Sequence, residues 1–300
     1  MQINMIRSDK VYQEMLELPL EKREGCFRAK ILAPFATKYQ TQHIPLKAKY
    51  PGGFDALFLL GFMNQLPSTL SEKDRPAIDA LSSDQLWQNC QDTIKRSIGL
   101  FEQAGYDLEV EDYHFTILLG NPEKPMLQLN KGYSGDGGIP GYLMLSLLPN
   151  DYTLPRVQAA LAHECNHNVR FQFVKWNQQT TLADWVVSEG LAESFAAELY
   201  GKDLIGPWVT STSPEQLEEN KPIISSQLQL TGMAEMAPYL YGDEIAKIQG
   251  QIPVGMPYAA GYAYGYHLIQ AYLKKTGKSI IEATVTPTEE ILEATKDFWK

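Results

Sequence analysis

Two histidines four residues apart, His163 and His167, with a glutamate beside the first, constrain this chain more than any other feature it has. In an α-helix residues four apart lie about 40° apart around the axis, so one face carries both imidazoles. His163-Glu164-Cys165-Asn166-His167 can therefore aim two nitrogens at one ion, provided that the segment is helical and its other face has a core to lie on. With His163 set at zero, Ala162, Cys165, Val169 and Phe173 fall on the far side, which supplies that core face. The same geometry turns Cys165 away from the ion and makes it a packing residue. Glu164 projects roughly 100° around the helix from His163, beside the ion rather than onto it. There it can take a proton from a water at the open position of a catalytic site.

Zinc suits this donor set. It accepts imidazole nitrogens at about 2.0–2.1 Å and, in catalytic sites, leaves one of four tetrahedral positions for water. A third protein ligand is then required. The segment Ser188-Glu189-Gly190-Leu191-Ala192-Glu193 places Glu189 and Glu193 four apart on one helical face. Two carboxylates so spaced fit one ligand and one buttress. Glu193 or Glu198 alone would read as a solvated helix charge, but in company with the histidine pair Glu189 is the expected ligand. Gly190 costs about 1 kcal/mol in a helix interior relative to Ala, which is tolerable where another backbone must approach closely.

The rest of the chain bounds this reading. Its 300 residues allow one large domain or two modest ones with an ample core. The 44% apolar and 21% charged fractions are those of a globular protein, and no apolar run approaches the roughly 18 residues of a membrane span. The formal net charge of −10 argues against nucleic acid or an anionic membrane as the main partner. Cys26, Cys90 and Cys165 form no CxxC pair, so neither a disulfide framework nor a cysteine-rich zinc site is expected. The N-terminal segment lacks the uninterrupted apolar stretch of a signal peptide, which favours a cytoplasmic location.

Residues 1–107 read as a mostly helical N-terminal region without chemistry of its own. Ser83 caps a helix whose stripe is Leu86, Trp87, Cys90, Ile94, Ile98 and Phe101. Residues 108–300 form the second region. Phe115 to Leu119 and Tyr142 to Leu148 are strand-like runs, and the glycine-rich stretch 132–141 between them reads as a flexible hairpin loop, since no helix opens after it as a phosphate-binding loop requires. Thr153 and Pro155 start a helix reaching about Val174. Thr181 with Asp184 starts a second that stops at Gly201. A third spans about Tyr258 to Lys275. Residues 202–257 read as a loop-heavy insertion with short helices.

HExxH followed by EGLAE on a later helix resembles the gluzincin metallopeptidases, and more closely the YjaZ-like family of bacterial predicted Zn-dependent proteases. The resemblance runs from about 108 to 295 and includes GYAYGYHLIQAYLKKTG; the first hundred residues match nothing in it. It implies an α+β, zincin-like (gluzincin) metalloprotease core, with His163, His167 and Glu189 as Zn2+ ligands and Glu164 as general base. Glu193 falls where such enzymes hold a ligand histidine from behind, although aspartate is common there. The Tyr142–Leu148 strand would be the edge along which an extended peptide is laid. The third helix carries Tyr258, Tyr262 and Tyr266 beside Gly261 and Gly265. One of these hydroxyls can stabilise an oxyanion opposite the metal, with Tyr262, central in the stripe, as the first choice and His267 a weaker candidate. A core aromatic stripe would look the same. The expected function is peptide amide hydrolysis, with a peptide or unfolded protein as substrate. A non-catalytic zinc-stabilised binding module and a hydrolase of a non-peptide substrate stay open, as does the oligomeric state.

Overall fold

The two apolar runs of residues 112–148 become neighbouring strands in the computed structural model, which describes residues 1–300. Four strands form one mixed sheet: β1 (Gln2–Met5), β2 (Asp112–Leu119), β3 (Tyr133–Ile139) and β4 (Tyr142–Leu147), in the order β1-β2-β4-β3. β1 and β4 run parallel to β2, and β3 is antiparallel to β4. Strands buried on both faces read as continuous apolar runs rather than alternating ones. Phe115, Ile117, Leu119, Leu143, Leu145 and Leu147 accordingly lie in the core.

The N-terminal region is mostly helical but opens with a strand, β1, whose partner is more than a hundred residues away in sequence. Two expectations change. The glycine-rich stretch is the strand β3, with a register shift between Asp136 and Ile139, and only its end turns at Gly141. β4 is an inner strand, and the edge on its side of the sheet is β3.

Four longer helices carry the remaining argument: α1 (Asp84–Gln103), α2 (Val157–Phe173), α3 (Leu182–Tyr200) and α4 (Ala260–Thr276). The chain forms two compact units, residues 1–96 with 109–164 and residues 97–108 with 165–300, and α2 runs unbroken through residue 164. In the first unit, the helix Ser8–Glu17 buries Tyr12 and Met15, and the Tyr12 hydroxyl accepts the Leu119 amide at 3.1 Å. Trp87 meets Phe115 edge to face at 5.9 Å.

In the second unit, Thr181 and Asp184 exchange the two bonds of a capping box at the start of α3, and Gly201 ends that helix. α3 is buried from Leu182 to Ala197 except at Asp184, as a helix surrounded by protein must be. α4 begins at Ala260, because Ala259 takes a left-handed conformation, and this leaves Tyr258 before the helix rather than on it. Arg170, fully buried on α2, donates to Ser188 Oγ at 3.0 Å, to the carbonyls of Thr284 and Thr286 at 2.8 and 3.1 Å, and to Thr288 Oγ1 at 3.0 Å. One guanidinium thereby ties the helices Ile280–Val285 and Thr288–Ala294 to α2 and α3. No helix is long and apolar enough to cross a membrane.

Candidate metal centre

His163 and His167 stand one turn apart on α2, and Glu189 on α3 faces them. One ligand atom from each of the three lies within 4.8 Å of the others, and all three side chains are buried. His167 Nε2 stands 3.2 Å from Glu189 Oε2. Two ligands at zinc's usual bond lengths in a tetrahedron are separated by roughly 3.3 Å, so this pair already has the spacing of two ligands on one ion. Two nitrogens and a carboxylate oxygen also form a donor set of the kind zinc accepts. The residues fit the metal.

Each side chain is held by its surroundings. The other oxygen of Glu189, Oε1, accepts the indole N–H of Trp185 at 3.1 Å from one turn earlier on α3. The His167 ring lies parallel to Phe171, 5.7 Å away and one turn on. Phe171 meets Trp176 edge to face, and Trp176 meets Trp185 in the same way, so an aromatic run joins the two metal-facing helices of the second unit.

Glu164 is buried beside His163, and β3 explains how. A Cβ at Gly135 would stand 2.0 Å from Glu164 Oε1, and one at Gly137 would stand 2.4 Å from the Glu164 carbonyl oxygen. Only glycine lets the strand lie this close to the helix. The register shift begins after Asp136, and such irregularities recur where a strand is re-aimed near a site. The glycines serve proximity rather than flexibility.

Glu193, one turn beyond Glu189, is also buried. Its Oε1 accepts the Gly206 amide at 2.6 Å and its Oε2 the Trp208 indole N–H at 2.7 Å. The carboxylate thus binds the segment that follows α3. Tyr262 is half-buried on α4, with its ring 6.3 Å from Trp208 and 6.0 Å from Tyr241. Tyr266 is more deeply buried, and desolvation and then the nearby Glu193 charge raise its phenol pKa. His267 is exposed.

Of the residues the sequence singled out, His163, His167 and Glu189 lie together, Glu164 is buried beside them, and Gly190 stands at a close helix contact. Sequence reasoning missed Trp185, although the spacing of four from Glu189 was a readable signal. It also missed Gly135, Gly137 and Trp208, whose roles depend on tertiary contacts.

Residues 86–293 match the profile of a family described as Predicted Zn-dependent protease (DUF2268). The chain is 34% identical over 293 residues, covering 97% of each chain, to a protein of Bacillus subtilis (strain 168) named Uncharacterized protein YjfC. It is 28% identical over 155 residues, half of this chain and 55% of the other, to Uncharacterized protein YjaZ of the same organism. No solved structure matches.

Proposed function

This chain belongs to the family of predicted Zn-dependent proteases, and from that premise we propose that it is a zinc metallopeptidase that hydrolyses peptide amide bonds. The observation that carries the reading is the meeting of the His163, His167 and Glu189 donor atoms within 4.8 Å, in a buried site with Glu164 next to the first histidine.

His163, His167 and Glu189 would hold the metal. Zinc, when bound there, would supply a Lewis acid for the scissile carbonyl and would make a water easier to deprotonate. Glu164 accepts the proton of that water and returns it to the departing amine, so one carboxylate serves as base and then as acid. β3 keeps the Glu164 carboxylate in place, because Gly135 packs against it without a side chain. Trp185 holds Oε1 of Glu189 and so positions the carboxylate whose Oε2 would take the metal. Glu193 acts behind the ligands as a positioning residue, and Tyr262 is the first candidate for the donor to the oxyanion. As an edge of the sheet, β3 is the strand to which an extended peptide would add by backbone pairing. The core is read as gluzincin-like and the location as cytoplasmic.

The test uses zinc-loaded wild type and Glu164→Gln on a library of unfolded peptides. Wild type should hold about one zinc per chain and cleave; Glu164→Gln should keep its zinc and lose about 10²–10⁴-fold in rate. Equal rates would move the base elsewhere. A zinc-loaded wild type that cleaves nothing would favour a zinc-stabilised binding module. Tyr262→Phe should keep fold and zinc while kcat drops by about two to three orders of magnitude.

A further inference from the structure

Eleven large apolar side chains are exposed in the whole chain, and four of them, Tyr50, Phe54, Phe58 and Phe62, fall within thirteen residues. Their exposures are 77%, 54%, 49% and 48%. Phe54, Phe58 and Phe62 recur every fourth residue and form a ladder, with ring centroids 5.8 and 5.6 Å apart. Leu57, Leu59, Leu60 and Met63 are half-buried among them. Each ring of the ladder remains about half exposed even though it stacks on its neighbour.

This knuckle is built rather than slack. Asp55 is buried and accepts the Phe58 amide at 2.9 Å, the Ala48 amide at 3.0 Å and an Arg28 N–H at 2.8 Å. The Ala56 amide donates to the Pro45 carbonyl at 2.9 Å, and Arg28 also donates to the Leu46 carbonyl. Residues 45–48 are thereby tied alongside 53–56.

Its charge differs from that of the rest of the protein. Between Glu24 and Glu72 the only carboxylate is Asp55, and Arg28 engages it. The other cations near this stretch are neutralised: Arg28 also meets Glu24, Lys30 meets Glu14, and Lys38 is buried against Asp136. Lys47 and Lys49 are exposed and have no ion pair. A chain of net charge −10 thus presents one apolar face whose free charges are both positive.

We propose that this knuckle docks the protein on an anionic lipid surface, with Phe54, Phe58 and Phe62 entering the headgroup–acyl boundary and Lys47 and Lys49 meeting lipid phosphates. Aromatic rings with flanking lysines are the composition of interfacial anchors. Size separates this partner from a protein. Four rings about half exposed offer roughly 400 Å², given the 150–250 Å² that a whole aromatic side chain buries. A stable protein interface needs about 800 Å² from each side, roughly twice what this face offers. The net charge of −10 argues against an anionic membrane as the main partner of the whole surface. It repels the rest of the protein from such a lipid and leaves the knuckle as the one face that can approach it.

Flotation of the full chain with two kinds of vesicle tests this: phosphatidylcholine alone, and phosphatidylcholine mixed with phosphatidylglycerol. Wild type should float with the mixed vesicles and poorly with the neutral ones. The triple variant Phe54→Ser, Phe58→Ser, Phe62→Ser should float about ten-fold less, and Lys47→Glu with Lys49→Glu should abolish the preference for anionic lipid. Thermal melts verify folding, and the single variant Phe58→Ser, which must still lower flotation, replaces the triple one if that fails to fold. Absence of wild-type flotation with the anionic vesicles overturns the proposal, as does a folded triple variant that floats like wild type. A wild-type dimer in light scattering that the triple variant abolishes, without lipid binding, would assign the face to a second copy of this chain instead.

Discussion

Gly190 of α3 and Gly265 of α4 meet backbone against backbone. A methyl group on Gly190 would stand 2.1 Å from the Gly265 carbonyl oxygen, and one on Gly265 would stand 2.2 Å from that of Val186. Glu189 is adjacent to this crossing, so the distance between the two helices sets where its carboxylate stands. No flexible side chain can yield to an added methyl. Gly265→Ala should therefore cost about 1–3 kcal/mol in a urea titration and release zinc faster to a chelator. Stability and zinc retention equal to wild type would mean that the crossing is loose.

On β3 the comparison is between two glycines of one strand. Gly135→Ala places a methyl where the Glu164 carboxylate lies, whereas Gly138 has nothing within 4 Å of its missing Cβ. Gly135→Ala should lose hydrolysis by about 10²-fold or more, with zinc content intact, because it displaces the proposed base and none of the proposed ligands. Gly138→Ala should behave as wild type. Parallel behaviour of the two variants would remove β3 from the account of catalysis.

Trp185→Phe retains an aromatic ring and withdraws the N–H that holds Glu189 Oε1. Removing such a partner of a metal ligand weakens affinity or activity by about 10–100-fold. Zinc titration against a competing chelator should show that shift, whereas His163→Ala, His167→Ala or Glu189→Ala should each leave almost no zinc. If Trp185→Phe binds zinc as tightly as wild type, packing alone orients Glu189.

Glu193 receives two donors, from Gly206 and Trp208, one on each oxygen. Glu193→Gln confronts one of those donors with an NH2 group. The clash of donors should cost about 1–3 kcal/mol and speed amide exchange at Gly206. A shortened chelator half-time in the same variant would show that the carboxylate also acts on the metal ligands; an unchanged one would restrict Glu193 to anchoring the segment after α3.

Asp55 links stability to pH. Its burial works against ionisation, but the amides of Phe58 and Ala48 and the Arg28 guanidinium outweigh that and hold its carboxyl below the usual 3.8. A lowered carboxylate pKa contributes stability above the ordinary value, and the contribution disappears as pH falls through the lowered one. Asp55→Asn should be less stable than wild type by about 1–2 kcal/mol at neutral pH. The difference should shrink as acid is added below the ordinary 3.8. A constant gap across that range would remove the charge of Asp55 as its source.

The sequence exposed the long helices well because their signals are local. The Thr181–Asp184 box, the stripe from Leu86 to Phe101 and the glycine after α4 each declare an end or a face within a few residues. The His163, His167 and Glu189 cluster was legible for the same reason: two histidines one turn apart leave little choice, and a glycine after Glu189 marks a close neighbour. β1 was illegible because four residues become a strand only through a partner a hundred positions away. The order of the sheet is equally non-local, and without it β4 passed for an edge. Gly135 and Gly137 look like flexibility in a sequence and prove to be clearance for a helix.

Two of the five tryptophans, Trp185 and Trp208, hand their indole N–H groups to carboxylates of α3. A full negative charge at that distance is a strong local field, and a cation arriving at Glu189 cancels much of it. Indole emission responds to such a field. A metal filling the site would therefore change the colour of the protein's own ultraviolet fluorescence, through Trp185 directly and through Trp208 only as far as Glu193 senses the ion. If zinc fills the site as proposed, the molecule carries its own optical gauge of that filling.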